Sequence, residues 1–345
     1  MSLNSMYIDS NDEFKIKLDA NEIFMNIDDK FEMRIKSILN SIELCRYPSN
    51  DMEKIKELYG RYCNTSPENI MVGNGSDEAI ELIIGKNVDS KSKIITFGPD
   101  FVMYDFFTKR FKGELIKYDI GTTMSFDVEE FIKLGKENNA GMIIFSNPNN
   151  PTGINIELKD IKKILDSFDD IPVVVDEAYY EFNGDSMIPY IDKYSNLFVT
   201  RTLSKAWGLA ALRIGFLISS RKNIEEMKKY KVPYTISSYS QKIAEIALKY
   251  PENVIGNSKI IVKERENLYR ELKQIEDNAA MKISFFQSKG NFIYGKTPHK
   301  EALMKGLEGH KIFIRNFEND SFRITIGSPR ENRKVAEAIK EIFVY

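Results

Sequence analysis

The chain of 345 residues carries 49 Lys and Arg against 51 Asp and Glu, a formal net charge of -2 at pH 7. This near balance gives no reason to expect a nucleic acid or an anionic membrane as a partner. Hydrophobic residues make up 42% of the chain, and no apolar run approaches the roughly 20 residues that span a bilayer. The first seven residues lack the basic start and apolar stretch of a signal peptide. We therefore expect a soluble, cytoplasmic protein.

Cysteine and histidine usage narrows the possible chemistry. Cys45 and Cys63 form no metal-binding spacing, and a thiol-reducing compartment suits them. His299 and His310 are the only histidines, and both lie in polar segments. A Ser-His-Asp triad or a metal site is therefore not indicated. Any catalysis is expected to use lysine, tyrosine, carboxylates or a cofactor.

Short apolar runs alternate with longer amphipathic stretches through the middle of the chain. Runs rich in branched residues fit strands that are buried on both faces of a mainly parallel sheet. The strand candidates are Ile70–Val72, Lys93–Phe97, Glu114–Tyr118, Gly141–Phe145, Pro172–Val175, Leu197–Thr200 and Ile214–Ile218. Helix candidates between them include Ser76–Ile84, Asp127–Lys136 and Leu158–Phe168. The alternation predicts an α/β fold with a mainly parallel seven-stranded central sheet flanked by helices and with right-handed crossovers.

A smaller α+β part is predicted at the C-terminal end. A helical pattern runs from Arg221 to about Asp277, with breaks at Pro233 and Pro251. The strand candidates that follow are Ile283–Phe286, Phe292–Tyr294, Ile312–Ile314 and Phe322–Ile326, and a last helix is predicted from Glu331. We predict an N-terminal segment (1–40) packing with the small domain, a large α/β domain (41–235) and a small α+β domain (236–345).

The first motif with chemical content is Gly73-Asn-Gly-Ser-Asp-Glu78, between a predicted strand and a predicted helix. Small residues let backbone N–H groups approach an anion, and a helix N-terminus favours negative charge. Asp77 and Glu78 would repel a phosphate unless their side chains turn aside. The alternative is a simple capped turn. The third glycine of a dinucleotide-binding fingerprint is absent, because Glu78 occupies its place.

The second motif is the loop Ser146–Gly153, directly after the strand candidate that ends at Phe145. Its two prolines fix φ, and its Asn and Gly residues supply turn conformations, so the loop is stiff. Either it is simply a good turn, or it holds Asn147 so that the amide donates a hydrogen bond to a cofactor oxygen.

The third motif begins with Asp176, directly after the apolar strand candidate Pro172–Val175. A carboxylate at such a strand end is poorly solvated and is stabilised by a cationic partner. A protonated pyridine nitrogen would supply that cation. Tyr179, three residues further on, is then placed to bind a ring hydroxyl oxygen. The alternative is an N-cap aspartate among surface acids.

The strongest signal is Lys205, which lies between Ser204 and small apolar residues, with Arg213 eight positions further on. The amine would form an imine with an aldehyde cofactor, while Ser204 and Arg213 would hold its phosphate. Apolar neighbours such as Trp207 favour a desolvated, nucleophilic amine, although most lysines are surface residues. Together with the other motifs, this pattern predicts a pyridoxal phosphate site that works on amines or amino acids.

With these motifs in place, the chain resembles the fold-type I pyridoxal-phosphate-dependent aminotransferases, and within them the histidinol-phosphate aminotransferases, over almost its whole length. The likeness is carried by Leu18–Glu22, Arg46–Pro48, Gly73–Glu78, Gly98–Tyr104, Asn147–Gly153, Asp176–Phe182, Ser204–Gly215 and Phe322–Gly327. The resemblance implies an internal aldimine on Lys205, with Asp176 at the pyridine nitrogen. It also implies that Asn147 and Tyr179 contact the ring hydroxyl and that Tyr104 stacks on the ring.

The resemblance further implies a phosphate site and a homodimer with shared active sites. The residues it assigns to the phosphate are Gly75, Ser76, Asp77, Ser204, Arg213 and Tyr47 of the partner subunit. Arg323 matches the family's substrate-anion arginine, and a guanidinium binds carboxylate or phosphate in a bidentate manner. Arg315 would help to hold a substrate phosphate, and Asn21 is a further substrate-binding candidate.

The implied reaction converts histidinol phosphate and 2-oxoglutarate to imidazole acetol phosphate and glutamate, a step of histidine biosynthesis. Two features depart from that subfamily. Arg315 and Arg323 are closer in sequence than expected, and Asn21-Glu22 is followed by Ile-Phe rather than Asn-Pro. An aromatic amino-acid aminotransferase or a threonine-phosphate decarboxylase on the same scaffold therefore stays open. A non-catalytic regulator with this fold and a dinucleotide-dependent oxidoreductase are more remote alternatives.

Overall fold

The computed structural model describes residues 16–25, 29–39 and 41–344. Their contacts form two compact units, a smaller one of residues 16–25 and 259–344 and a larger one of residues 29–39 and 41–258. The strands are β1 (Ile16–Leu18), β2 (Ile70–Asn74), β3 (Lys93–Gly98), β4 (Glu114–Asp119), β5 (Met142–Ser146), β6 (Val173–Asp176), β7 (Leu197–Thr202), β8 (Ile214–Ser219), β9 (Ser284–Phe286), β10 (Phe292–Lys296), β11 (Ile312–Asn316) and β12 (Ser321–Thr325).

The helices alternate with strands in the first two thirds of the chain. They are α1 (Asp29–Leu39), α2 (Glu53–Cys63), α3 (Gly75–Asn87), α4 (Val102–Arg110), α5 (Val128–Glu137), α6 (Leu158–Ser167), α7 (Arg221–Lys228), α8 (Ser238–Ala247), α9 (Pro251–Asn278), α10 (Lys300–Gly309) and α11 (Pro329–Phe343). Within the described residues, no helix is both long enough and apolar enough to cross a membrane.

The larger unit contains a seven-stranded sheet in the order β2-β8-β7-β6-β5-β3-β4. Strands β3 to β7 pair in parallel, whereas β8 runs antiparallel to both β2 and β7. The predicted α/β class and the mainly parallel seven-stranded sheet are confirmed. The predicted strands are all present, with ends shifted by one or two residues.

The central strands are buried on both faces, which explains why they read as continuous apolar runs. Ile143 and Phe145 of β5 pack into the hydrophobic cluster on one face of the sheet. Their neighbours Met142 and Ile144 pack into the cluster on the other face. A strand covered on only one side would alternate apolar and polar residues instead.

Helix starts follow local chemistry that the sequence displays. Asp127 caps α5, since its carboxylate accepts from the backbone N–H groups of Glu129 and Glu130. At α11, Ser328 and Glu331 form a reciprocal capping box, and Pro329 opens the helix. The last helix therefore begins two residues before the predicted start at Glu331. The predicted breaks at Pro233 and Pro251 are confirmed, since Pro233 lies between α7 and α8 and Pro251 is the first residue of α9.

The smaller unit contains a five-stranded sheet in the order β1-β11-β12-β10-β9, in which only the β1–β11 pair is parallel. The contact division falls after residue 25 and after residue 258, within α9. The predicted domain boundaries were 40 and 235. The contact division differs from the predicted boundaries because α1 and α8, both predicted to lie outside the large domain, pack on each other in the larger unit. The boundaries of folding domains stay a prediction.

Candidate active site

One edge of the seven-stranded sheet gathers the chemically suggestive residues of the larger unit. Because β5, β6 and β7 are parallel, their carboxyl ends meet there, with Ser146 beside Asp176 and Asp176 beside Thr200. Strand β8 runs the other way, so its first residue, Ile214, lies at the same edge, opposite Asn74 at the end of β2. The segments that carry Lys205 and Arg213 flank this edge.

Asp176 has a buried carboxyl group, with only 3% of the residue exposed. Thr200 Oγ1 donates to Oδ1 at 2.8 Å, and the Tyr104 hydroxyl donates to Oδ2 at 2.9 Å. Removal from water raises the pKa of Asp176 to about 6; the two hydroxyl donors oppose this rise and the negative charge of Asp77 adds to it. A carboxyl group in this environment is stabilised as the anion by a neighbouring cation, such as a pyridinium N–H.

Tyr104, the predicted stacking residue, is fully buried at this edge. Burial raises the pKa of its phenol well above the ordinary value, so the hydroxyl stays protonated and acts as a donor to Asp176. Its ring meets the ring of Phe101 edge-on, with 5.7 Å between centroids. Its stacking on a cofactor ring stays a prediction.

Lys205 lies in a closed turn that follows β7. The N–H of Gly208 donates to the Lys205 carbonyl at 2.9 Å, and that of Leu209 donates to the Leu203 carbonyl at 3.0 Å. The lysine side chain is partly buried, and its Nζ lies 5.9 Å from the centroid of the Tyr179 ring. The structure therefore brings together the predicted imine-forming amine and the predicted ring-oxygen donor.

A candidate anion site lies where α3 begins. Arg213 links Ser204 to Asp77 in the first turn of α3, since its Nη1 lies 3.3 Å from Ser204 Oγ and its Nη2 lies 2.9 Å from Asp77 Oδ2. The N–H of Gly75 donates to the Arg213 carbonyl at 2.8 Å, which holds the arginine against the start of the helix. A helix N-terminus, a hydroxyl and a guanidinium thus converge, and this donor set suits a phosphate monoester.

The two acidic side chains of the first motif are accommodated in different ways. Glu78 folds back onto the helix start, accepting from the backbone N–H of Asn74, the N-cap residue of α3, and from Thr235 Oγ1. Asp77 pairs with Arg213, and although burial raises the pKa of its carboxyl, the positive charges of Arg213 and Lys205 oppose that rise. Neither side chain therefore turns clear of the helix start: Glu78 binds the N-cap N–H, and Asp77 is paired with Arg213.

Asn147 is held firmly at the end of β5. Its Nδ2 donates to the Ile156 carbonyl at 3.1 Å, and its Oδ1 accepts from the Ile156 N–H at 2.8 Å. An amide nitrogen carries two hydrogens, and this pairing uses one of them. The second can donate to a cofactor oxygen, as predicted, but no contact in the structure tests that role.

Sequence reasoning missed two residues that support the site. Thr200 reaches Asp176 only because β6 and β7 are in register, which no single-strand pattern reveals. Asp100, at the turn after β3, accepts from both the backbone N–H and the hydroxyl of Ser146. Loss of water contact raises the pKa of Asp100 to about 8, against the effect of these donors. The only sequence signal was its place within the Gly98–Tyr104 motif.

The three substrate-binding candidates lie in the smaller unit. Arg315 and Arg323 are direct cross-strand partners in β11 and β12, so both side chains leave the same face of the sheet. Like charges directly opposite each other are destabilising, and an anion bound between them would relieve the repulsion. The Arg323 guanidinium also donates to the Asp19 carbonyl and lies 5.4 Å from the centroid of the Phe292 ring.

Asn21 lies in a network of the smaller unit. Its N–H donates to Thr325 Oγ1 at 3.0 Å, and its carbonyl accepts from Asn291 Nδ2 at 3.0 Å. The residue adopts a φ of 54°, a left-handed conformation that asparagine tolerates.

In the larger unit, Tyr47 is 83% exposed, and its ring stacks on that of Tyr234 with 5.0 Å between centroids.

Comparisons with known proteins give related sequences and folds over nearly the whole chain. A histidinol-phosphate aminotransferase from Clostridium novyi is 40% identical over 333 residues, which cover 95% of this chain and 92% of the relative. The structure of a histidinol-phosphate aminotransferase from Sinorhizobium meliloti in complex with pyridoxal-5'-phosphate has a TM-score of 0.86 and 21% identity, covering 95% of this chain and 90% of that one. That of the Clostridium acetobutylicum enzyme has a TM-score of 0.84 and 25% identity, covering 95% and 98%.

These structural likenesses confirm the predicted fold-type I architecture. The family described as aminotransferase class I and II matches residues 15–339, nearly the entire chain. The segments at the sheet edge and the candidate substrate arginines all fall within that match. This chain therefore belongs to the class I and II aminotransferases.

Proposed function

We propose that this aminotransferase uses pyridoxal phosphate, held on Lys205, to move an amino group from histidinol phosphate to 2-oxoglutarate. The observation that carries the proposal is the meeting of Lys205, Asp176 and the Ser204–Arg213 anion site at one sheet edge. An amine, a carboxylate for the ring nitrogen and an anion site are the groups that this cofactor requires. The name of the relative from Clostridium novyi supports histidinol phosphate as the amino donor.

Each group of the edge would have a distinct task. When bound, pyridoxal phosphate supplies an aldehyde that links to amines and a ring that withdraws electrons from the substrate carbon. The start of α3, Ser204 and Arg213 would hold its phosphate. Asp176 would keep a proton on the ring nitrogen. Asn147 and Tyr179 would donate to the ring oxygen and so fix the plane of the ring.

Lys205 would serve twice. Its amine would first hold the cofactor aldehyde, and the substrate amine would then take its place. The released Nζ would act as the general base that takes the proton from the substrate α-carbon and holds it for the reprotonation that completes the transfer. Tyr179, whose ring centroid lies 5.9 Å from Nζ, would limit where the amine can move.

We propose Arg315 and Arg323 as the residues that bind the substrate's anionic group. Arg315 and Arg323 face each other across β11 and β12. Two guanidiniums on one face of a sheet match a phosphate dianion better than they match a single carboxylate. This cross-strand pair supports a phosphorylated substrate, and the carboxylate of glutamate would use the same arginines in the second half-reaction.

We further propose a homodimer in the cytoplasm, with Tyr47 of the partner subunit reaching the phosphate. Exposed apolar side chains lie at Leu44, Tyr47, Tyr230, Val232 and Tyr234, from 48% to 83% exposed. The stacked rings of Tyr47 and Tyr234 join the two segments that carry them. An apolar surface of this kind favours association with a second copy. The two cysteines are unpaired, as suits a reducing compartment.

A substrate panel with a matched pair of variants tests the function. The wild-type protein should form glutamate from 2-oxoglutarate with histidinol phosphate, more slowly with histidinol and phenylalanine, and release no carbon dioxide from threonine phosphate. Lys205→Ala should lower kcat by at least about 10²-fold, because the general base is lost. Lys159→Ala, a surface lysine that is 73% exposed, should leave kcat unchanged.

Each other outcome has a defined meaning. Carbon dioxide from threonine phosphate would support the decarboxylase alternative, and a preference for phenylalanine would support the aromatic aminotransferase. Full activity of Lys205→Ala would overturn the proposed chemistry itself.

A further inference from the structure

Two side-chain contacts join the segment that carries Tyr179 to the segment that carries Lys205. The first is the ion pair of Glu177 and Arg201, directly after β6 and near the end of β7. Arg201 Nε donates to Glu177 Oε2 at 2.8 Å, and Nη2 lies 2.7 Å from the same oxygen. Both side chains are only 2% exposed. This pair reinforces the strand register just before the lysine turn.

The second contact lies beyond the sheet, where no strand pairing holds the chain. Trp207 Nε1 donates to Glu181 Oε1 at 3.2 Å, and the Tyr62 hydroxyl donates to the same oxygen at 3.3 Å. The rings of Tyr62 and Trp207 meet edge-on, with 5.0 Å between centroids. The Glu181 carboxylate thus accepts hydrogen bonds from an indole and a phenol that belong to two other segments.

The spacing of these contacts frames the reacting groups. Trp207 lies two residues after Lys205, and Glu181 lies two residues after Tyr179. The Arg201–Glu177 pair precedes both. The two segments are therefore joined on either side of the place where the lysine amine and the tyrosine ring approach each other. Loops joined only at their roots would leave that separation free to vary.

The second contact carries an electrostatic cost that packing alone does not require. Burial raises the pKa of the Glu181 carboxyl, and the positive charge of Arg201 and the Trp207 and Tyr62 donors only partly offset this. An apolar side chain at position 181 would fill the same space without a desolvated carboxylate. What the acid provides is a directional acceptor that fixes the indole, and with it the lysine turn.

We propose that Glu181 and Trp207 are positioning residues that hold Lys205 at its working distance from Tyr179. This inference rests on the proposed function, since it assigns the pair to the geometry of that same amine. Their proposed role is to position the reacting atoms and not to take part in the reaction. They act through the turn of residues 203–209, which is closed by its own backbone hydrogen bonds.

A double-mutant cycle tests the pair in the protein loaded with pyridoxal phosphate. Trp207→Phe removes the indole N–H and keeps an aromatic ring against Tyr62. Glu181→Ala removes the acceptor, whereas Glu181→Gln keeps an acceptor oxygen and removes the charge. Glu137→Gln, an acid that is 61% exposed on α5, is the matched control. The readouts are kcat, KM, the melting temperature and the pH midpoint of the absorbance of the bound cofactor.

We expect Trp207→Phe and Glu181→Ala each to lower kcat about tenfold, with KM changed less than about twofold, because a small displacement of a reacting group affects the chemical step. Both should move the absorbance midpoint in the same direction. The double variant should be no worse than either single variant, because the two residues act as one unit. Glu181→Gln should recover most of kcat, and Glu137→Gln should match the wild type.

Trp207 is the only tryptophan of the chain, so its emission reports the contact directly. It should shift in Glu181→Ala and much less in Glu181→Gln. If the variants only lower the melting temperature while kcat and the absorbance midpoint stay unchanged, or if their effects on kcat add, the pair is structural and the inference is wrong. If Glu181→Ala does not fold, Trp207→Phe and Glu181→Gln decide by the same criteria. Absence of the cofactor absorbance from the wild type would instead refute the proposed function.

Discussion

At the scale of single residues, burial and hydrogen bonding have opposite effects on the pKa of the Asp176 carboxyl group. Removal from water raises its pKa, and the hydroxyls of Thr200 and Tyr104 stabilise the anion without supplying a counter-charge. The group is therefore poised to respond to a cation. A pyridinium N–H bound beside it would complete the pairing that these neutral donors begin.

Asp100 predicts a pH dependence of stability. Its pKa is about 8 in the folded chain and near the ordinary value of about 3.9 in the unfolded chain, so the folded protein binds the extra proton between these values. Unfolding releases that proton, and the stabilisation is therefore present at low pH and lost as the pH rises toward 8. In urea titrations of the cofactor-free protein, the midpoint should fall between pH 6 and pH 8.5.

Asp100→Asn is the control for that titration. Asparagine offers one acceptor and a donor in place of the protonated carboxyl, and it does not titrate. The decline of the urea midpoint between pH 6 and pH 8.5 should become shallower in this variant, leaving the contributions of the other carboxyl groups with raised pKa values, Asp77, Asp176 and Glu181. An identical decline in both proteins would show that Asp100 titrates normally.

Single residues could be predicted from the sequence where the residues next to them in the chain indicated their position. Asp176 and Lys205 follow apolar strands, and their types match one cofactor. Thr200 and Glu181 could not be assigned, because their partners are set by strand register and by turns that bring distant segments together. The groups proposed to react could be picked out from the sequence, but the residues that hold them in place could not.

At the scale of elements, the anion site depends on how closely β8 approaches the start of α3. A Cβ at Gly215 would lie only 2.2 Å from the backbone nitrogen of Ser76, so no side chain fits there unless the helix start moves. The N–H groups that would face a phosphate belong to that same turn. The glycine therefore sets the geometry of the anion site without touching its ligand.

Gly215→Ala should weaken pyridoxal phosphate binding by at least about tenfold, because the N-terminal turn of α3 must shift away. Gly256→Ala is the matched control, since a Cβ there meets nothing within 4 Å and the residue lies within α9. That control should stabilise the protein by about 0.5–1 kcal/mol and leave cofactor affinity unchanged. The dissociation constant is measured by titration of the cofactor-free proteins. Equal affinity in both variants would contradict this role of Gly215.

Elements were predictable in proportion to their length and burial. The strands of the larger sheet were found because covered faces produce unbroken apolar runs. Strand β1 has only three residues and pairs with β11, so no periodic pattern marked it. Helix α2 was not identified either. Which of its residues are buried could be assigned only from the hydrophobic cluster in which they pack.

At the scale of the whole molecule, the proposed homodimer predicts a defined mass. The wild-type protein should sediment at twice the 39.9 kDa of the chain. Leu44→Lys places a charge among the exposed apolar side chains and should shift the protein toward 39.9 kDa, with loss of cofactor affinity as Tyr47 of the partner subunit is removed. Ile260→Lys, at a residue that is 49% exposed on α9, serves as the control. A wild-type monomer that binds the cofactor tightly would refute the shared site.

The central claim is that one amine of the chain, that of Lys205, holds the cofactor. The most direct measurement is to load the protein with pyridoxal phosphate, reduce it with sodium borohydride, and locate the added group by mass spectrometry of its peptides. We expect a single phosphopyridoxyl group on Lys205. A group on a different lysine, or no stable group at all, would contradict the account.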